Sequence, residues 1–197
     1  MNKKNHERTR KLVGVALFTA IIVVLQLLGA IIRFGPFSIS LVLVPIVVGA
    51  AVYGVGSGAW LGFVFGIIVL LSGDAAAFLT VNAPGTIITV LLKGTACGFI
   101  SGLAYECMYK LLKGNSYFST VAAAIVCPTV NTGIFLLGCL VFFMDTITGW
   151  AEAAGLGGGV AHYMIFGLVG GNFLVELAIN IIFSPIIVRI INVVKKS

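Results

Sequence analysis

The sequence predicts an all-α, polytopic membrane protein: one integral-membrane domain over residues 1–197, a bundle of six transmembrane helices with both termini cytoplasmic. Three observations carry that prediction. Of the 197 residues, 60% are hydrophobic and 9% are charged, against roughly 25% charged in a typical soluble domain, and the mean hydropathy is +1.17. Several apolar runs reach the ~20 residues that a helix needs to cross a ~30 Å hydrocarbon core. Basic residues crowd the two ends, Lys3, Lys4, Arg8, Arg10 and Lys11 at one and Arg189, Lys195 and Lys196 at the other, as cytoplasmic flanks do under the positive-inside rule. The net charge of +6 is therefore a topology signal and gives no ground for a nucleic-acid partner.

Turn signals place the spans in order. The first covers about 11–32; it is too long for a signal-peptide core and lacks a small-x-small cleavage site, so it reads as a retained helix. It ends at Arg33-Phe34-Gly35-Pro36. A short second run, about 39–53, contains Pro45 and stops at Gly54-Val55-Gly56-Ser57-Gly58, and a third follows over about 58–72. The stretch SGDAAAFLTVNAPG, residues 72–85, is too polar and broken to lie mid-span. Further spans run over about 86–112, 119–144 and 162–191, the last two separated by the glycine-rich loop DTITGWAEAAGLGGG, 145–159. With six spans, Lys110 and Lys113 join the termini inside, so ten of the twelve basic residues are cytoplasmic, while Asp74, Asp145 and Glu152 lie outside.

Two glycine ladders stand out. Gly54, Gly58, Gly62 and Gly66 recur every four residues in the third span, and Gly94, Gly98 and Gly102 do so in the fourth. Faces without side chains let helix backbones approach closely in membranes. Packing within one bundle is the commoner use of such faces; docking of a partner is the other.

Catalysis is poorly provided for. The two histidines, His6 and His162, fall in the N-terminal tail and at the start of the sixth span. No serine-nucleophile, zinc-protease, paired-aspartate or phosphate-loop motif occurs, so an enzyme, and ATP hydrolysis by this chain, are not expected. Cys97, Cys107, Cys127 and Cys139 lie in apolar segments without metal-ligand spacing and read as packing residues. Neither a metal nor a cofactor is implied.

What remains is a sparse polar set at membrane depth: Gln26, Lys93, Asn131, Asn172, Glu176 and Asn180. A charge in a span costs roughly 2.5–3.5 kcal/mol on insertion scales and marks a functional site or a structural pair. In GNFLVELAIN, Asn172, Glu176 and Asn180 are four apart and share one helix face. Lys93 and Glu176 fall at similar depth. Lys93 reads either as the partner of Glu176, or as a snorkelling side chain, or as a cationic anchor for a substrate carboxylate. Glu176 reads as a pairing group or as support behind the ligand. Asn172 is near enough to the outside to touch substrate, and Asn180 reads as structural. Gln26 and Asn131 read as interhelical hydrogen-bonders or ligand contacts; Pro128, one turn before Asn131, frees a carbonyl nearby. Outer segments add Phe34, Phe37, Phe78, Trp150 and Tyr163, an apolar cap for a small-molecule site or, for Trp150 and Tyr163, interfacial belt residues.

Two stretches carry a family resemblance. A basic tail leads into KLVGVALFTAII, where Ala16 and Ala20 form an AxxxA motif, and RFGPFSISLVLVPIVVGAAVYGVGSGAWLGFVFG follows, with Pro45 and a small-residue turn. In these features, and in length and span count, the chain resembles the substrate-binding S components of energy-coupling-factor (ECF) vitamin transporters over nearly its whole length. The resemblance implies a bacterial plasma-membrane subunit that binds a vitamin or similar micronutrient near the outer surface under a lid of loops. It implies docking through Ala16 and Ala20 onto a transmembrane coupling subunit that carries two cytoplasmic ATPases, and toppling of the subunit to release substrate inward. Lys93, Asn131, Asn172, Glu176, Phe37, Phe78 and Trp150 are the expected substrate-binding residues. Pantothenate is the first expected substrate, having one carboxylate for Lys93 and hydroxyl and amide groups for Asn131 and Asn172; riboflavin and folate come next. The competing class is a self-sufficient small carrier or channel with Lys93 and Glu176 as an ion relay, against which the lack of an inverted repeat weighs.

Overall fold

The structure is a computed structural model that describes residues 3–30, 33–34, 37–38, 41–155 and 159–196, with backbone alone at 3, 4, 6, 33–34, 37–38 and 194–196. Helix dominates, as the composition requires: in a bilayer each backbone polar group must find its partner within the chain, and a helix does this locally. The helices are α1 (Lys3–Gly29), α2 (Leu43–Tyr53), α3 (Val55–Leu71), a four-residue α4 (Ala76–Leu79), α5 (Ala83–Leu111), α6 (Ser116–Phe142), α7 (Met144–Ala153) and α8 (Gly159–His162). A π-helical segment, Tyr163–Gly170, leads from α8 into α9 (Gly171–Lys196). Between α1 and α2, β1 (Arg33–Phe34) and β2 (Phe37–Ser38) form a two-residue antiparallel ladder that the sequence reading did not anticipate.

Four helical stretches are long and apolar enough to cross a membrane: Glu7–Gly29, Ala83–Leu111, Ser116–Phe142 and Gly159–Val193. Two further apolar helices, Leu43–Tyr53 and Val55–Leu71, are shorter. At ~1.5 Å per residue the 11 residues of α2 fall well short of the hydrocarbon thickness. Helix α2 is nevertheless the centre of the bundle: Val42 to Ala51 are buried except Val44, and α1, α3, α5, α6 and α9 all pack against it. Pro45 falls in its first turn, where a missing N–H leaves no helical bond unmade. The turn into α3 passes through Gly54, whose φ of 91° is disallowed for most side chains.

The glycine ladders meet each other. A Cβ on Gly58 would meet the Gly98 carbonyl, one on Gly62 the Gly94 carbonyl, and one on Gly66 the Val90 carbonyl. Helices α3 and α5 thus run antiparallel with backbone against backbone, and the ladders serve packing within the bundle.

These contacts also sort the connections into two ends. Gly14 of α1 lies against Tyr53, and Gly102 of α5 against Val55; Tyr105 and Ser116 are 3.3 Å apart across the α5–α6 turn. The N-terminus, the Gly54 turn and the 112–115 turn therefore share one end, with Arg8, Arg10, Lys11, Lys110 and Lys113. The other end holds the 72–82 connection and α7, with Asp74, Asp145 and Glu152. There most of α7 falls in the segment read from sequence as a loop, 145–159: Ile147 and Ala151, one turn apart, are buried against the bundle.

Candidate functional site

Six parts of the chain converge on one cavity at the acidic end. Its empty space, open mouth included, is about 740 Å³. Helix α5 supplies Thr86, Thr89, Val90 and Lys93, spaced i, i+3, i+4 and i+7 and so on one face. Its start is fixed by Asn82, whose side chain accepts from the Gly85 N–H at 2.9 Å, with Pro84 in the first turn.

Lys93 turns into this cavity. Its ammonium lies 5.8 Å from the centroid of the Phe65 ring of α3 and 5.4 Å from that of Phe135 of α6, within cation–π reach. The carboxylates of Glu176 and Asp74 both act on it electrostatically. Among the described residues Lys93 is the lysine that lines the cavity, and it stands among rings and two acidic side chains.

From α9 come Asn172, Phe173 and Glu176. The Asn172 amide donates to Glu176 Oε1 at 3.3 Å, and deeper in the helix Asn180 donates to the Glu176 carbonyl at 2.8 Å. Ser184 continues the run by donating to the Asn180 carbonyl at 2.9 Å. Glu176 is only 2% exposed, which orients its carboxylate firmly. Asn172 and Glu176 line the cavity, whereas Asn180 lies below it, fully buried. The preceding π-helical turn delivers Leu168 and Val169 to the wall, a use of wide helical turns that recurs at functional sites.

Helix α6 contributes Asn131, Thr132 and Phe135, and α1 contributes Gln26. The Gln26 amide donates to Asp74 Oδ2 at 2.5 Å, tying the end of α1 to the 72–82 connection. Phe78, on the short α4 of that connection, packs edge-on against Phe135, Phe143 and Trp150 at centroid distances of 5.5, 5.0 and 5.5 Å. This aromatic cluster closes the side of the cavity nearest α7.

Of the residues expected from sequence, Lys93, Asn131, Asn172, Glu176 and Phe78 line the cavity. Trp150 stands behind Phe78 and does not reach the wall. The side chain of Phe37 lies outside the described residues. Ala16 and Ala20 are exposed on α1, on the outer surface of the bundle.

A cavity of this kind, at one end of an apolar bundle, suits a solute-binding membrane subunit. The sequence profile of the family described as the ECF transporter, substrate-specific component, matches residues 10–192. The chain belongs to this family. Comparison with curated proteins and with solved structures returned no match. As an S component the protein is the substrate-specific subunit of an ECF transporter and a membrane protein, and members of this family bind substrate without being enzymes.

Sequence reasoning passed over several wall residues of this S component. Thr86 and Thr89 carry a signal, their i, i+3, i+7 spacing with Lys93, that was available. In the sequence Asp74 reads only as a loop carboxylate. Phe65, Phe135, Phe143 and Phe173 gave none, because a ring facing a cavity and a ring facing lipid look the same in a sequence.

Proposed function

We propose that this S component binds a vitamin or related micronutrient in the cavity around Lys93 and delivers it inward as part of an ECF-type importer in the cell membrane. The observation that carries the reading is the enclosure of Lys93, Asn131, Asn172 and Glu176 in one aromatic-walled cavity at the acidic end. Lys93 anchors an anionic group of the ligand, the phenylalanines hold its apolar part, and the Phe78 segment covers it. Pantothenate is the first compound to test, followed by riboflavin and folate.

In this reading the chain is a single integral-membrane domain of six spans, with α2 and α3 as the short pair and both termini cytoplasmic. The gathering of basic residues at one end supports that orientation. Ala16 and Ala20 dock on a transmembrane coupling subunit that carries two ATPases. Their exposure on α1 fits such a contact, since a side chain larger than methyl would hold a partner helix away.

Replacing Ala16 or Ala20 with Trp is expected to abolish assembly with the coupling subunit and uptake in cells, while the purified chain keeps its ligand affinity. Loss of binding in the same variants would count against a docking role. Mass spectrometry of whatever small molecule copurifies with the wild type identifies the substrate directly. The ion-relay reading predicts transport by the chain alone; proteoliposomes without ATPase partners are expected to show none.

A further inference from the structure

Four buried polar atoms have no hydrogen-bond partner among the described residues: Asn180 Oδ1, below the cavity, and Thr89 Oγ1, Asn131 Oδ1 and Asn172 Oδ1, on residues that line it. Leaving such a group unpaired in a buried site costs roughly 1–3 kcal/mol, so three on one wall call for an explanation. Local bonding does not provide it. Thr86, Thr95, Thr120 and Thr129 each donate to the carbonyl four residues back, the usual way a threonine satisfies itself in a membrane helix. Thr89, on the same helix as two of these, has no such bond. The NH₂ of Asn172 is committed to Glu176, which fixes its remaining oxygen as an acceptor, and the orphan atom of Asn131 is an acceptor as well.

Resting on the substrate-binding reading above, we propose that these residues select for hydrogen-bond donors. The ligand presents at least two O–H or N–H groups, one to Asn131 Oδ1 and one to Asn172 Oδ1, and Thr89 supplies a third contact. The substrate class is thereby narrowed to polyhydroxylated or amino-heterocyclic compounds. A ligand with only a carboxylate and a hydrocarbon body satisfies Lys93 but leaves both acceptors buried and unpaired, and sites built to bond O–H or N–H groups reject such analogues strongly.

The test uses the purified full-length chain in detergent, with melting temperature and calorimetric affinity as readouts. The probes are pantothenate, riboflavin and folate, all rich in donors, and lipoate, a carboxylate on an apolar body. Wild type is expected to bind at least one of the first three and not lipoate. Asn131→Leu and Thr89→Val keep the side-chain shape and remove the orphan atom. Each is expected to weaken the bound donor-rich probe roughly 10- to 100-fold while the ligand-free melting temperature stays level or rises. A purely structural role moves both readouts down together, and that result in both variants overturns the proposal. Binding of lipoate alone also overturns it, yet leaves the substrate-binding reading standing. No binding of any probe, with ligand-free stability falling in both variants, overturns both.

Discussion

Helix α5 takes part in two unlike halves of the bundle. Towards the basic end it meets α3 through Gly94 and Gly98 against Gly62 and Gly58, with no room for a methyl group. Towards the acidic end the ladder stops at Gly66 and Val90, and the same two helices present Phe65, Val69, Thr86, Thr89 and Lys93 to a cavity. The change from glycine to larger and polar residues is what opens the space: backbones that touch leave nothing between them, whereas side chains of unequal length hold helices apart. Stability and recognition are thus written into successive turns of one helix pair. The contrast predicts that substitutions in the closed half damage folding and that those in the open half damage binding.

The largest effect is expected where the backbones are closest. In Gly62→Ala the added methyl would overlap the Gly94 carbonyl, and neither backbone can rotate away as a side chain could. A cost of about 3 kcal/mol is expected, a fall in melting temperature of roughly 10 °C for a chain of this size, with ligand affinity of the folded fraction little changed. An unchanged melting temperature would mean that the seam is looser than it looks and would erase the contrast. In the open half, Lys93→Met is expected to weaken pantothenate roughly 10- to 100-fold and its uncharged alcohol analogue far less. Because Glu176 and Asp74 also act on Lys93, only the difference between acid and alcohol isolates the anchor; equal losses would remove it.

The closed half was the more legible in sequence. Glycines four apart announce close approach of backbones because only small residues permit it, and the identity of the facing ladder had to await the fold. The polar stripe Asn172, Glu176, Asn180 was legible too, since amides and a carboxylate are costly in an apolar run. In the fold Asn172 and Glu176 both line the cavity and Asn180 is fully buried outside its lining. The rest of the open half was hidden for physical reasons. Hydroxyls such as Thr89 pass for self-satisfied helix residues until their partners are counted. Asp74 gains meaning only when the chain returns it to the end of α1, 48 residues away in sequence, and the π-helical turn at Tyr163–Gly170 leaves no mark in the apolar pattern.

The smallest expected effect lies where α1 reaches the open half. Helix α1 packs on α2 and α3, and its Gln26, 1% exposed, donates to Asp74 Oδ2 and so ties the Phe78 segment down. Phe78 is also held by three aromatic rings, so the amide is not the segment's sole restraint. Gln26→Leu keeps the bulk and removes the bond. A neutral donor to a carboxylate is worth about 1.5 kcal/mol, but the rings retain the segment, so ligand affinity is expected to fall about fivefold, with a faster off-rate and little change in association. Hydrogen exchange should rise at residues 76–82 and stay unchanged along the α3–α5 seam. Unchanged exchange at residues 76–82 would show that the Gln26 amide does not restrain the segment. A rise along the glycine seam would instead mean that the two halves loosen together.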